Sequence, residues 1–398
     1  MVIPSTNNRI NASSFRECDL LSSVEILPGT SIIGESAFRN CFSLLSIEFP
    51  QSVTQMDEYS FAYCYNLTYA NFSDMTTFIG QYAFYYCTSL LEAILPDRLS
   101  NVTRYTFAYC FNLSNLSIKS MCQNISEFSF YQCKSLPFAN MPSSVQSIGE
   151  SAFRLCTNLT SIAIDGAIVI YNSAFRDCTS LESAQLSNCL ATIHAFAFMN
   201  CYNLTSVEFP STLLTIMTQA FLNCYSLATA TIVNGLKTIE YSAFMNCYSL
   251  LSVELPATLT TIGFQTFMNC YSLVNATTTS SGATLIDYSV FQNCYELHSI
   301  SMPVNLTFVS QNLCYNCRKL ESAIIGDRIT GIYSSAFCYC ESLTSLTLGV
   351  NLTTIGSQAF YSCLSLPTVH IPIAVTSIST DAFRNCFGLE SFTVDINN

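Results

Sequence analysis

Ser242-Ala243-Phe244-Met245-Asn246-Cys247-Tyr248-Ser249-Leu250 is the stretch whose reading decides the fold, because versions of it return about every 23 residues along the chain. A fixed period of this length marks a repeat architecture, in which each unit is one supersecondary element. With the cysteine as origin, the units fall at Cys18, Cys41, Cys64, Cys87, Cys110, Cys133, Cys156, Cys178, Cys201, Cys224, Cys247, Cys270, Cys294, Cys317, Cys340, Cys363 and Cys386. A leucine lies three residues after each of these seventeen cysteines. A phenylalanine lies three residues before all but Cys317, where Cys314 stands instead.

One period running throughout predicts a single repeat body over residues 1–398 without a domain seam. The chain is half hydrophobic and only 10% charged, so Ser, Thr, Asn and Tyr carry its solubility. No run of eighteen apolar residues occurs, so no membrane span is read. A net charge of -12 argues against a nucleic-acid partner, whose phosphates need a basic surface. Of the 21 cysteines, all but Cys122, Cys189, Cys314 and Cys338 share one phase, which marks a structural column and not a set of pairs. Buried thiols are expected there, since a free cysteine behaves as a small hydrophobe. Neighbours in the column should lie near the strand spacing of about 4.8 Å, within reach of a disulfide, so oxidation stays open.

Each unit reads in three parts. Leu44-x-x-Ile47-x-Phe49-Pro50 alternates inward apolar residues with outward Ser46 and Glu48, the signature of a short strand that Pro50 closes. A second short extended piece follows, as in Val145-Gln146-Ser147-Ile148-Gly149 or Leu259-Thr260-Thr261-Ile262-Gly263, where the glycine is expected to permit a turn. The third part, Ala152-Phe153-x-x-Cys156-x-x-Leu159, has the three-to-four spacing of a turn or two of helix or 3₁₀ structure facing the core. The expected fold is therefore an α/β repeat, a right-handed solenoid of about seventeen units of 22 to 24 residues with a parallel sheet on one face. Cys156 to Cys178 is one residue short and Cys270 to Cys294 one long, with Thr277-Thr278-Thr279-Ser280-Ser281-Gly282 absorbing the extra residue. Ile3-Pro4 matches Phe49-Pro50, so the chain begins inside a repeat, without the charged and apolar parts of a secretory signal. Thr393 to Asn398 stops just past a strand position with no capping segment or anchor. Incomplete rungs at both ends suggest a chain cut from something longer, or one whose ends pair with partners, end-to-end self-association included.

The succession Leu343-Thr344-Ser345-Leu346-Thr347-Leu348, Leu352-Thr353-Thr354-Ile355-Gly356 and Ala359-Phe360-x-x-Cys363-x-x-Leu366 resembles the BspA-like leucine-rich repeat family, over essentially the whole chain. What the resemblance implies is a surface protein of the kind known from oral bacteria and parasitic protists. Its implied partner is a protein ligand, of the host or the extracellular matrix, bound in adhesion. The thiols and the lack of a signal keep a second reading open, an intracellular interaction scaffold in the cytoplasm.

Catalysis has little to work with. His194, His298 and His370 fall at three phases of the repeat and several rungs apart, so they cannot converge on one substrate atom. Cys314-x-x-Cys317 and Cys338-x-Cys340 lack a matching second pair for zinc, so neither an enzyme nor a metal or cofactor is expected. Binding has better candidates. A serine column lies five residues after the cysteine and a partly acidic one two further on, giving Ser46, Glu48, Ser206, Glu208, Ser252 and Glu254 on the outward face of the sheet. That strip is either a partner surface or the polarity that keeps an open sheet soluble. Tyr202, Tyr225, Tyr248, Tyr271 and Tyr295 form an aromatic ribbon just after the cysteine, flanked by Asn200, Asn223, Asn246, Asn269 and Asn293. The ribbon is either an interface, for which Tyr is suited, or packing between rungs. Twelve Asn-x-Ser/Thr sequons occur, among them Asn66, Asn112, Asn158 and Asn203, and matter only on a secretory route.

Overall fold

Alternation of outward polar and inward apolar side chains should yield short strands, and a 23-residue period should bring each strand beside its copy in the next unit. The computed structural model, which describes residues 1–3, 8–277 and 282–395, has this arrangement within each of two compact units, Met1–Leu204 and Thr205–Asn398. Pro4, Thr278 to Ser281 and Ile396 to Asn398, which figure in the reading of the chain start, the long unit and the chain end, lie outside the described residues.

In the first unit, strand Ser46–Glu48 pairs in parallel with Tyr69–Asn71, and Phe138–Met141 pairs with Ser161–Ile164 and that in turn with Ser183–Gln185. A second ladder of two-residue strands runs alongside it, for example Arg9–Ile10, Ile32–Ile33, Gln55–Met56 and Phe78–Ile79. The second unit repeats the scheme with Ser206–Glu208, Thr229–Thr231, Ser252–Glu254 and Asn275–Thr277 in one ladder and Thr215–Ile216, Thr238–Ile239 and Thr261–Ile262 in the other. The irregular units keep register. Ser161 pairs with Ser183 and Asn275 with Ser299, so the missing and the extra residue are both taken up between strands. In the short unit Gly166 is squeezed so closely that a Cβ there would lie 1.9 Å from the Ser143 carbonyl oxygen.

The third part of the unit corrects the expectation of helix: no described residue is helical, so the α component of the α/β reading is not present. The reason lies in where the backbone bonds go. Ala37, Arg39 and Cys41 donate their N–H groups three residues back, to the carbonyls of Gly34, Ser36 and Phe38 at 3.1 to 3.2 Å. Ser36, Phe38 and Asn40 donate instead to Glu58, Ser60 and Ala62 of the next unit at 2.8 to 2.9 Å. Half of the donors that a helix would use internally thus join units together. The switch needs left-handed residues, and every described non-glycine residue with positive φ stands at one of two phases, five and one residues before the repeating cysteine, as at Ser36 (54°) and Asn40 (63°). Asparagine tolerates that conformation better than most side chains, which accounts for its recurrence before the cysteine.

The glycine after the second strand also has a different role from the one expected. Gly149 and Gly263 are not left-handed; a Cβ on them would lie 2.7 Å from the Glu127 backbone nitrogen and 2.5 Å from that of Tyr241. They allow the backbone of the preceding unit to approach.

Inside each unit the columns meet as the period requires. Phe38, Phe61, Phe84, Phe107, Phe130, Phe153, Phe175 and Phe198 are buried, and their rings stack at 5.1 to 5.5 Å between centroids in the first unit where pairs are seen. Burying each such side chain contributes roughly 1.5 to 3 kcal/mol, so this stack is a large source of cohesion. The cysteines beside it are thiols and, apart from the partly exposed Cys18 and Cys386, the members of the column are buried. Most have a polar task as well as an apolar one: the Sγ of Cys64 donates to the Phe38 carbonyl at 3.2 Å and that of Cys110 to Phe84 at 3.3 Å, reaching back one unit. The same carbonyl accepts the N–H of its own unit's cysteine, as Phe38 does from Cys41.

Candidate binding surfaces

The sheet places the predicted outward residues where the alternation puts them. Ser46, Glu48, Ser206, Glu208, Ser252 and Glu254 are exposed, each pair flanking a buried Ile47, Val207 or Val253. In the second unit the register aligns Ser206 with Thr229 and Thr229 with Ser252, and Glu208 with Thr231. Glu208 and Glu254 are therefore two rungs apart, about 9 to 10 Å along the ladder direction. A shallow groove of about 540 Å³ opens beside Glu254, lined by Ser252, Asn275, Ser299, Ser322 and Ile324. The first unit's face is less uniform, because the serine phase is taken by Tyr69, Glu92, Asn115 and Phe138, with Tyr69 and Phe138 exposed.

The aromatic ribbon is a true stack. Tyr225, Tyr248, Tyr271 and Tyr295 lie ring on ring at 4.8, 4.8 and 4.9 Å with interplanar angles of 1 to 4°. Tyr202, half-buried, belongs to the first unit. Since the faces cover one another, the ribbon turns ring edges and hydroxyls outward, and packing and display are the same arrangement seen from two sides. Burial raises the phenol pKa of Tyr248 and Tyr271, with neighbouring phenols adding to it. Beside the stack runs an amide ladder: Asn246, Asn269, Asn293 and Asn316 each donate Nδ2 to the Oδ1 of the asparagine one unit earlier, at 2.7 to 2.9 Å. Arg318 ends both rows. Its Nε donates to Asn316 Oδ1 at 2.9 Å, and its guanidinium lies 5.4 Å from the Tyr295 ring.

Sequence reasoning missed a larger aromatic cluster in the first unit. Tyr59, Tyr82, Tyr105 and Phe128 stack at 4.7 to 4.8 Å on the first left-handed phase. Tyr63, Tyr86 and Tyr109 stack at 5.6 and 4.2 Å on the second. Tyr85 stands edge-on between the rows, 5.3 Å from Tyr82 and 4.9 Å from Tyr86. Arg39 covers the start of both, 5.1 Å from the Tyr59 ring and 5.5 Å from that of Tyr63, and its buried Nε makes no hydrogen bond. The signal was present as tyrosine at two fixed phases over three successive units, but those phases hold mostly serine, asparagine and other polar residues elsewhere, so they read as spacer.

Each histidine has neighbours of its own. His194 packs on Tyr171, His298 Nδ1 meets the Glu296 carbonyl oxygen at 2.7 Å, and His370 Nε2 lies 3.1 Å from an Asp395 carboxylate oxygen. Cys314 is buried in the phenylalanine column and its carbonyl accepts the Cys340 thiol at 3.3 Å. Among the described residues no group of three or more His, Cys, Asp or Glu side chains could hold a metal ion, and no helix is long and apolar enough to cross a membrane.

Comparison with known proteins gives the same architecture. The family model described as BspA type leucine rich repeat region matches six times, at residues 1–113, 57–178, 100–228, 168–285, 215–344 and 273–390. A leucine-rich repeat protein from Bacteroides ovatus is 26% identical over 80% of this chain and 78% of its own, with a TM-score of 0.61. A leucine rich cell surface protein from Faecalibacterium prausnitzii is 25% identical over 79% of this chain and 89% of its own, with a TM-score of 0.45. The pneumococcal vaccine antigen PcpA is 18% identical over 92% of this chain and 85% of its own, with a TM-score of 0.43. No functionally curated protein matches the sequence.

Proposed function

The chain belongs to the BspA-type leucine-rich repeat family, and on that premise we propose that it is a non-enzymatic protein-binding solenoid that works at the cell surface as an adhesin-like receptor for host or extracellular proteins. The observation that carries the reading is the sheet face of the second unit. Its outward columns present hydroxyls, amides and the carboxylates of Glu208 and Glu254 at a repeat of one rung, over a rigid row of buried Val207, Ala230 and Val253. Parallel strands hold these groups in register, so a partner can be matched without ordering a loop. The carboxylates select a partner that offers Lys or Arg at a spacing of about two rungs. The tyrosine ribbon supplies a second contact, with large area and polar tips on side chains already held in a stack.

The test is binding of the purified protein to a panel of immobilised extracellular matrix proteins. Glu208→Lys with Glu254→Lys should weaken capture and reverse its salt dependence, since the repulsion they introduce is screened by salt. Tyr225, Tyr248 and Tyr271 changed to Ser should weaken it by slowing nothing but speeding dissociation. Unchanged capture by both folded variants removes these surfaces, and no capture by the wild type removes the extracellular reading.

A further inference from the structure

The first unit holds a contiguous cluster of tyrosine rings. The core stack is made of phenylalanine, whereas the half-buried outer rows consist of Tyr59, Tyr82 and Tyr105 and of Tyr63, Tyr86 and Tyr109, linked by Tyr85. Tyr85 also lies 5.4 Å from Tyr109, and Tyr131 lies 5.2 Å from it. Beyond Tyr105 the first row continues as Phe128, and Phe111 borders Tyr86 and Tyr109 at 6.1 to 6.2 Å. Phenol rings that can lose an electron and a proton together are thus contiguous, and rings that cannot do so mark their edge. Burial holds the Tyr85, Tyr105 and Tyr109 phenols in their neutral form, so their oxidation is loss of a hydrogen atom.

Within the cluster Tyr86 and Tyr109 are set apart. Their centroids are 4.2 Å apart with an interplanar angle of 13°, closer than the 4.7 to 5.6 Å of the other stacked tyrosine pairs in either unit. Both side chains are partly open to solvent.

We propose that Tyr86 and Tyr109 form an oxidative cross-linking site, joined as dityrosine when a haem peroxidase with hydrogen peroxide acts on the folded protein. Each phenol gives up one electron and one proton, leaving two phenoxyl radicals with spin on the ring carbons beside the oxygen. Those two carbons join in one new C–C bond. The hydrogens they carried leave as protons, one to each oxygen, restoring both phenols. One peroxide takes up the two electrons and two protons and becomes two waters. A radical formed on any tyrosine of the cluster moves between touching rings, and the pair already held face to face couples because its encounter is unimolecular. The product ties adjacent rungs covalently, closing a loop from residue 86 to residue 109.

The experiment treats the whole chain with a haem peroxidase and hydrogen peroxide, isolates the monomer and digests it with trypsin. Arg98 and Arg104 lie between the two tyrosines, so the protease separates them unless they are joined. Expected are blue dityrosine fluorescence in the monomer and a peptide pair lighter by two hydrogens, linked through Tyr86 and Tyr109. Tyr86→Phe and Tyr109→Phe keep the stacked rings and should each remove that pair, while Tyr131→Phe should leave it. Circular dichroism of each variant shows that the fold is retained. A wild-type monomer without the linkage, or linkage at undiminished yield in both Phe variants at the two sites, overturns the proposal.

Discussion

At the scale of the residue, the unit around Cys317 shows how the repeat tolerates an exception. Where most other units have Ala-Phe entering the core, and the rest Ser, Thr or Val before the phenylalanine, this one has Leu313-Cys314, both fully buried. The inward bulk has moved by one position, which makes it a nearly volume-conserving exchange, the kind cores accept best. Cys314→Phe alone should therefore overpack against Leu313 and cost about 1 to 3 kcal/mol. Joined with Leu313→Ala it should recover most of that loss and extend the ring stack between Phe291 and Phe337. Urea denaturation of the two variants decides this: if the single change is no less stable than the pair, Leu313 is not the compensating residue. The repeating cysteine is explained at the same scale. It fills a small apolar space and donates to a carbonyl one unit back, as Cys133 does to Phe107 at 3.3 Å, a combination alanine and valine do not offer.

At the scale of the element, the turn segment is what distinguishes this fold from a helical repeat. Its two left-handed residues aim alternate N–H groups at the next unit, so inter-unit bonding comes from three runs of backbone and not only from the two strands. The asparagine ladder rests on the same geometry, because a left-handed residue before each cysteine points every amide the same way. Asn246 both donates to Asn223 and accepts from Asn269 at 2.7 Å. Asn246→Ala should cost roughly 1 to 3 kcal/mol by leaving two half-buried partners unmatched. Asn246→Gly keeps the left-handed backbone accessible and separates the ladder from the backbone preference. A loss as large in the glycine variant as in the alanine one assigns the effect to the amides, whereas a harmless glycine variant assigns it to the backbone alone.

For the whole molecule, each unit contains its own buried thiols, and these set how stability responds to alkali. Cys41 of the repeating column and the off-phase Cys122 and Cys338 are pushed up to about 11 from the ordinary thiol value of 9.0, by burial in each case, and deeper cysteines of the column such as Cys133 and Cys247 lie higher still for the same reason. An unfolded chain sheds these protons near pH 9 while the folded one keeps them. The folded state is thus fully favoured below pH 9 and loses ground as pH rises from about 9 through 11, since the unfolded state then binds fewer protons. Denaturation midpoints measured across that window should fall steadily, and a level profile would mean that the thiols are not held neutral by the core.

Periodicity alone determined the unit, its strands, its inward columns and the burial of phenylalanine, leucine and cysteine, because a side chain that recurs at a fixed phase must meet its own kind when units stack. It also placed Ser206, Glu208, Ser252 and Glu254 outward, since alternation along a strand leaves no other face. Tertiary structure decided what depends on where backbone donors go. The spacing of Ala152, Phe153 and Cys156 suits a helix and a chain of linked turns equally, and only hydrogen bonds to the neighbouring unit separate the two. It likewise decided which tyrosines touch: Tyr86 and Tyr109 are merely 23 residues apart in the chain, and their contact follows from two left-handed residues set one above the other.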